Sequence, residues 1–158
     1  MSGDREELVA RLGPAMQEFQ RALDGFDQRV AECLGLNRTD MLCLELAMEA
    51  SGRTPGEIAA AAGLTTGGVT TAIDRLERAG YVTRVRDSAD RRRVLVQPTE
   101  RVIELTTRMY GPMVEEGTAY LRGLDAATLA SLLDYLRMST GLYRAHSERL
   151  ARDQPVRP

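Results

Sequence analysis

The chain has 158 residues, a net charge of −2, 43% hydrophobic and only 4% aromatic residues, and no Trp. That length suits one domain, or a core module with helical arms, and enough apolar residues for a buried core. No apolar run approaches the roughly 20 residues that span a bilayer, and the acidic start MSGDREEL is not that of a signal peptide, so a cytoplasmic protein is expected.

Charge is unevenly spread. Residues 1–52 carry 5 Arg against 10 acidic residues, residues 53–93 carry 8 Arg against 5, and residues 94–158 balance at 8 and 8. All 21 basic residues are Arg. The middle segment is therefore the electropositive one, and local field governs attraction to phosphate more than total charge does.

In chain order, Leu12, Met16, Phe19, Leu23, Phe26, Val30 and Cys33 recur at alternating steps of four and three. This heptad seam predicts a first helix made for helix-on-helix packing, within one subunit or between two. Gly13-Pro14 interrupts its start, so the regular helix is expected from there. Asn37 to Ala50 is the next predicted helix, with Asn37 as its cap and Asp40 in its first turn.

Thr54 to Glu100 is the most informative stretch. Thr54, Pro55 and Glu57 have the order of an N-cap, a first-turn proline and a capping-box carboxylate. Ile58 and the following alanines make a short helix that Gly63 ends. A second helix opens near Thr65 or Thr66, turns Val69, Ile73 and Leu76 inward, and closes at Gly80. Tyr81 to Arg86 and Val94 to Gln97 read as paired strands. DSADRRR joins them in a polar turn with three consecutive arginines. Two helices followed by a basic hairpin form a helix-turn-helix with a wing, a shape that puts one helix in the major groove and a loop beside it.

After the hairpin, Thr99 caps a long helix expected to kink at Gly111-Pro112. Asp125 caps a last helix bearing Leu129, Leu132, Leu133, Leu136, Leu142, Tyr143 and Leu150, and the tail DQPVRP is expected to fray. The fold class is thus mainly α with a small β-hairpin. It divides into an N-terminal dimerisation helix (1–36), a winged helix-turn-helix lobe (37–100) and C-terminal dimerisation helices (101–158).

Nothing in the chain points to catalysis or a cofactor. The single His146 lies far in sequence from both cysteines, and Gly67-Gly68 matches no nucleotide-binding motif. Cys33 and Cys43 are ten residues apart with no His between them, a spacing that binds no metal. Both read as small buried hydrophobes. Redox sensing through Cys33 or Cys43 is an alternative reading, against which stands the lack of a flanking basic residue to favour a thiolate at either one. A winged-helix interaction module without an operator is another.

The candidate DNA-binding residues are Thr66, Thr70, Thr71 and Arg75 on the second helix, for the groove and its phosphates, and Arg91, Arg92 and Arg93 in the wing. Thr hydroxyls and methyls discriminate bases less than a bidentate Arg or Asn does, so the wing must add grip. Narrow minor grooves attract such arginines. One of the three, with Arg92 favoured, can instead pair with Asp90 to shape the loop.

Thr70, the run RLERAGYV from Arg75 to Val82, Asp90-Arg91-Arg92 and Thr99-Glu100 together resemble the MarR family of bacterial transcription regulators. The resemblance extends over nearly the whole chain and is tightest from Asn37 to Glu100. Gly68 and Thr71 depart from it, standing where many members carry a Ser and an Arg, and Pro98 replaces a Leu. The resemblance implies a homodimeric repressor on a palindromic double-stranded operator. It also implies an effector site for a small amphipathic or phenolic ligand where the first, second and fifth helices meet the DNA-binding lobe. Phe19, Phe26, Met41, Met48, Met109 and Tyr110 are the candidate lining residues there.

Overall fold

The computed structural model of the chain describes residues 2–49 and 52–153. The elements are α1 (Ser2–Leu34), α2 (Arg38–Met48), α3 (Pro55–Ala62), α4 (Thr66–Arg78), β1 (Val82–Arg86), β2 (Val94–Pro98), α5 (Glu100–Arg122) and α6 (Ala126–Asp153). No helix among the described residues is long and apolar enough to cross a membrane. The chain divides into two compact units, Met1–Met109 and Tyr110–Pro158, with the division inside α5. The expected frayed tail from Gln154 onward and the Ala50 end of the second helix lie outside the described residues.

Helix α1 differs from expectation at its start. It is helical from Ser2, with Pro14 inside it. Proline costs one helical hydrogen bond, to the carbonyl of Ala10. Residues 3–15 are all exposed, so water can satisfy that carbonyl. Only the end of α1 joins the core, through Val30, Ala31 and Leu34. Helix α5 likewise runs through Gly111-Pro112 without a break.

In the first unit the core forms where α2, α3, α4 and the hairpin meet. Leu44, Ile58, Val69, Ile73, Leu76, Val96 and Val102 are fully buried, and Val82 is nearly so. The inward positions expected for α4 are therefore the inward ones. Local chemistry sets the helix ends. The Asn37 side chain accepts the Asp40 N–H at 2.9 Å. Thr54 and Glu57 make a complete capping box, and Thr65 accepts the Gly68 N–H. Gly63 and Gly80 follow their helices at φ 64° and 72°, a left-handed conformation that glycine adopts without a steric penalty.

β1 and β2 are antiparallel, with Val82 opposite Pro98 and Arg86 opposite Val94. An isolated single-residue bridge also joins Arg53 to Val96, through backbone bonds of 3.3 and 2.8 Å. It ties the loop before α3 to the base of the hairpin. Tyr81 is buried just ahead of β1, and its hydroxyl donates to the Leu34 carbonyl at 3.0 Å. This locks the end of α1 to the hairpin. Arg101 lies 5.4 Å from the centre of the same ring. Thr99 donates to the Gly80 carbonyl at 2.8 Å and caps α5.

In the second unit, α6 opens on Asp125, whose carboxylate accepts the Thr128 N–H at 2.8 Å and the Thr128 hydroxyl at 2.9 Å. The first of these bonds holds the Asp125 carboxyl below its usual range. Leu132, Leu133, Leu136, Met138, Leu142, Tyr143 and Leu150 are exposed along α6.

Candidate nucleic-acid interface

Helix α4 presents two chemically distinct faces. Val69, Ala72, Ile73 and Leu76 are buried. Thr66, Gly67, Thr70 and Thr71 are exposed together on the first two turns. The Thr70 hydroxyl donates to the Thr66 carbonyl at 2.9 Å, and that of Thr71 to the Gly67 carbonyl at 3.0 Å. Each hydroxyl proton is thus used inside the helix. Oxygen lone pairs and methyl groups remain facing outward. Such a surface can accept from an adenine or cytosine amino group and pack on a thymine methyl.

Arg75 is placed differently from the threonines. Its Nε and a terminal nitrogen donate to the two carboxylate oxygens of Asp40, at 2.8 and 2.5 Å. Asp40 is 3% exposed. It also accepts from the Asn37 side-chain amide at 2.9 Å. The hydrogen bond to Asp40 raises the Arg75 pKa above its ordinary value. The guanidinium is therefore a brace between α2 and α4, in the fork-to-fork geometry that makes Arg–carboxylate pairs specific.

A second brace joins α4 to the hairpin. Arg84 on β1 pairs with Asp74 at 2.5 Å and with Glu77. Its pKa is raised, first by the bond to Asp74. Sequence reasoning missed both braces, and it also passed over Arg86, an exposed cation on β1.

The turn between the strands is shaped by its aspartates. The Asp87 carboxylate accepts the Ala89 N–H at 2.8 Å, and that of Asp90 accepts the Arg92 N–H at 3.0 Å. Asp90 therefore organises the loop through the Arg92 backbone, which leaves the Arg92 guanidinium uncommitted. The guanidinium groups of Arg91 and Arg92 are exposed and have no partner among the described residues. Arg93 instead pairs with Glu57 on α3 at 2.7 Å.

The six expected effector residues differ in exposure. Phe19 is 58% exposed, Phe26, Met48, Met109 and Tyr110 are half-buried, and Met41 is buried. A cavity of about 480 Å³ lies between α1 and α2, and of the six only Met41 lines it. Asp27, Glu32, Arg38, Leu42 and Glu45 also line it. Glu45 is exposed at the rim, and partial desolvation there, then the nearby Asp27 and Glu49, pushes its carboxyl up.

Cys33 is exposed, whereas Cys43 is fully buried, and both are free thiols. Burial raises the Cys43 pKa, with Asp40 adding to it and Arg75 opposing it. That environment disfavours the reactive thiolate. His146 is exposed on α6. Among the described residues no group of three or more His, Cys, Asp or Glu could hold a metal ion.

Comparison with known proteins agrees with this geometry. A family model described as MarR family matches residues 34–93. Over 125 residues the chain is 34% identical to the HTH-type transcriptional regulator YcgE of Bacillus subtilis (strain 168), spanning 79% of this chain and 81% of that protein. A MarR family protein from Bacillus stearothermophilus has the same fold, with a TM-score of 0.63 at 19% identity, over 88% of this chain and 97% of that one. CouR from Rhodococcus jostii RHA1, solved bound to p-coumaroyl-CoA, gives a TM-score of 0.55 at 24% identity, over 80% of this chain and 89% of that one. The two structures speak to the fold alone, while the sequence relationship carries the function: the chain belongs to the MarR family and is a winged helix-turn-helix, DNA-binding transcription regulator.

Proposed function

We propose that the chain works as a homodimeric repressor that grips a palindromic operator and lets go when a small amphipathic ligand binds. The observation that carries this reading is the exposed Thr66, Thr70 and Thr71 face of α4, set in the same unit as a wing whose Arg91 and Arg92 are unpaired among the described residues. Each recognition helix enters a major groove, and the two copies read half-sites about one helical turn apart. The threonines supply a weak base code, while Arg91 and Arg92 supply phosphate or minor-groove contacts. Arg75 acts from behind, fixing α4 on α2. The protein binds rather than catalyses, and it acts in the cytoplasm with the chromosome.

Dimerisation is supported by large apolar side chains left exposed on the arms. Leu8, Leu12, Phe19 and Leu23 stand out on α1, and Leu133, Leu136, Leu142 and Tyr143 on α6. Apolar surface this extensive marks an interface in a folded chain. Residues 1–36 and 101–158 are accordingly the dimerisation arms of the 37–100 lobe.

Effector control is supported by the cavity between α1 and α2, whose volume of about 480 Å³ lies within the range of small-molecule sites. Asp24, Asp27, Glu32 and Glu45 face one Arg38 there, so a neutral or cationic amphiphile suits it. The anionic p-coumaroyl-CoA held by CouR is a guide to ligand control and not to ligand identity.

The test is selection of bound genomic DNA, with and without a panel of amphipathic phenols and amines. Enrichment of a palindrome that one compound abolishes is the expected result. No enrichment over scrambled duplex would sink the operator reading. Peroxide releasing the parent from DNA, but not Cys33→Ser, would make the protein a redox switch instead.

A further inference from the structure

The three wing arginines are not equivalent. Arg93 closes the turn by its backbone, accepting the Asp87 N–H at 3.0 Å and donating to the Asp90 carbonyl at 2.9 Å. Its guanidinium reaches Glu57 at 2.7 Å, across 36 residues of sequence. Glu57 itself is pinned at the start of α3, where its other oxygen accepts the Thr54 N–H at 2.8 Å.

Surface ion pairs are normally weak because two long side chains must be immobilised for one contact in water. Here one of the two is already fixed. The capping box has removed the rotamer freedom of Glu57 before Arg93 arrives. The bond from the Thr54 backbone, more than the cations nearby, also holds the Glu57 carboxyl below its ordinary range, so it stays ionised wherever DNA binding is measured.

We propose that Glu57 is a positioning residue of the DNA interface: by holding Arg93 it fixes the stem of the wing against the first turn of α3, and so sets the reach of Arg91 and Arg92 toward the backbone of DNA. The inference rests on the winged-helix reading above. It separates the three arginines into two DNA ligands at the tip and one strut at the stem.

The decisive variant is Glu57→Gln. Glutamine keeps an acceptor for the Thr54 N–H, so the α3 cap survives while the charge that holds Arg93 is lost. If Arg93 is a strut, Glu57→Gln and Arg93→Ala each weaken operator binding about two- to fivefold per subunit at roughly 0.15 M salt. The double variant is then no weaker than the worse single one, and the slope of log K against log salt is unchanged. If Arg93 is instead a phosphate ligand that Glu57 competes for, the sign reverses. Glu57→Gln then binds more tightly, Arg93→Ala lowers the salt slope by about one per subunit, and the proposal is overturned.

A measurement without DNA separates the strut from the DNA reading. Amide exchange at Asp87 and Arg93 should quicken in Glu57→Gln, because the stem is released from α3. Unchanged exchange there overturns the strut whatever the DNA data show. Faster exchange, with an Arg91→Ala/Arg92→Ala variant that keeps the full affinity and salt slope of the parent, leaves the strut standing as a fold contact but overturns its positioning role, together with the wing-contact reading.

Discussion

Arg75 grips Asp40 by both of its carboxylate oxygens, at 2.8 and 2.5 Å, and so joins α4 to the start of α2. Asp40 is buried, and the Asn37 side-chain amide donates to it as well. A carboxylate in that position needs its partner, since removing one member leaves an uncompensated charge. Arg75→Ala is therefore expected to lower the thermal midpoint and to weaken specific and scrambled duplexes alike, with the salt slope unchanged. Arg75→Ala with Asp40→Asn should recover part of the lost stability. Thermal melts followed by salt titrations check both. A salt slope that falls by about one per subunit in Arg75→Ala, with no change in the melt, would return Arg75 to the phosphates.

The exposed threonines make the opposite prediction. Thr70→Val and Thr71→Val keep a methyl but remove the outward lone pairs of the hydroxyl, and neither side chain is buried. Each should alter the preference among operator variants by about 1 kcal/mol or less at the base it touches, below the range of a bidentate pair, while leaving the salt slope intact. Valine should retain affinity best where the contacted base is thymine, because its methyl group still packs. Binding to a set of single-base operator variants decides this. A uniform loss over all of them would mean that the threonines touch backbone rather than bases.

These two residue classes also show what the sequence makes legible. Caps at Asn37, Thr54, Thr65, Thr99 and Asp125 are local chemistry, decided within three or four residues, and could be read directly, the α4 cap to within one residue as Thr65 or Thr66. The buried face of α4 follows from helical period alone. Arg75, Arg84 and Arg93 could not be assigned that way. Their partners are acids at distances of up to 36 residues, and long side chains leave several acids within reach of each Arg until the backbone is placed. The Arg53 to Val96 bridge was silent for a different reason, since a one-residue strand has no periodicity. The proline inside α1 misled because water can meet the carbonyl left without its helical bond on an exposed stretch, which lowers the cost of proline without removing its ring clash.

The proposed dimer would pack through the arms. Leu133, Leu136 and Leu142 are exposed on α6, and a dimer would remove such side chains from water. Burial of one leucine contributes ~1.5–3 kcal/mol, so a charge in the middle of this stripe should break the association. The parent is expected to sediment at twice 17.4 kDa at micromolar concentration. Leu136→Glu should sediment as the single chain and lose binding to a two-half-site duplex, while keeping a helical circular dichroism spectrum. A parent that is monomeric under those conditions would remove the paired-groove mechanism.

Glu45 supplies a pH signature. Partial desolvation beside the cavity between α1 and α2, with Asp27 and Glu49 adding to it, raises its carboxyl above the ordinary value of 4.5, while its side chain stays exposed enough for water to screen much of the effect. The folded protein therefore binds this proton more tightly than the unfolded chain does. Stability is then highest, as far as this group is concerned, below the unfolded pKa, and it falls as pH rises through the folded pKa. At neutral pH the ionised carboxylate opposes folding. Glu45→Gln keeps the shape and removes the charge, so it should stabilise the protein at pH 7 and have little effect at pH 4. The capping carboxylates Glu57 and Asp125, whose pKa values are lowered, act in the other direction. They stabilise above their unfolded values, and that contribution is lost as acid protonates them. Urea unfolding of the parent and Glu45→Gln at several pH values isolates the Glu45 part, because the cap contributions cancel in the difference. The difference should grow from pH 4 to pH 7 and then level off. A difference that is flat across that range would mean that Glu45 is as well solvated in the folded protein as in the unfolded chain.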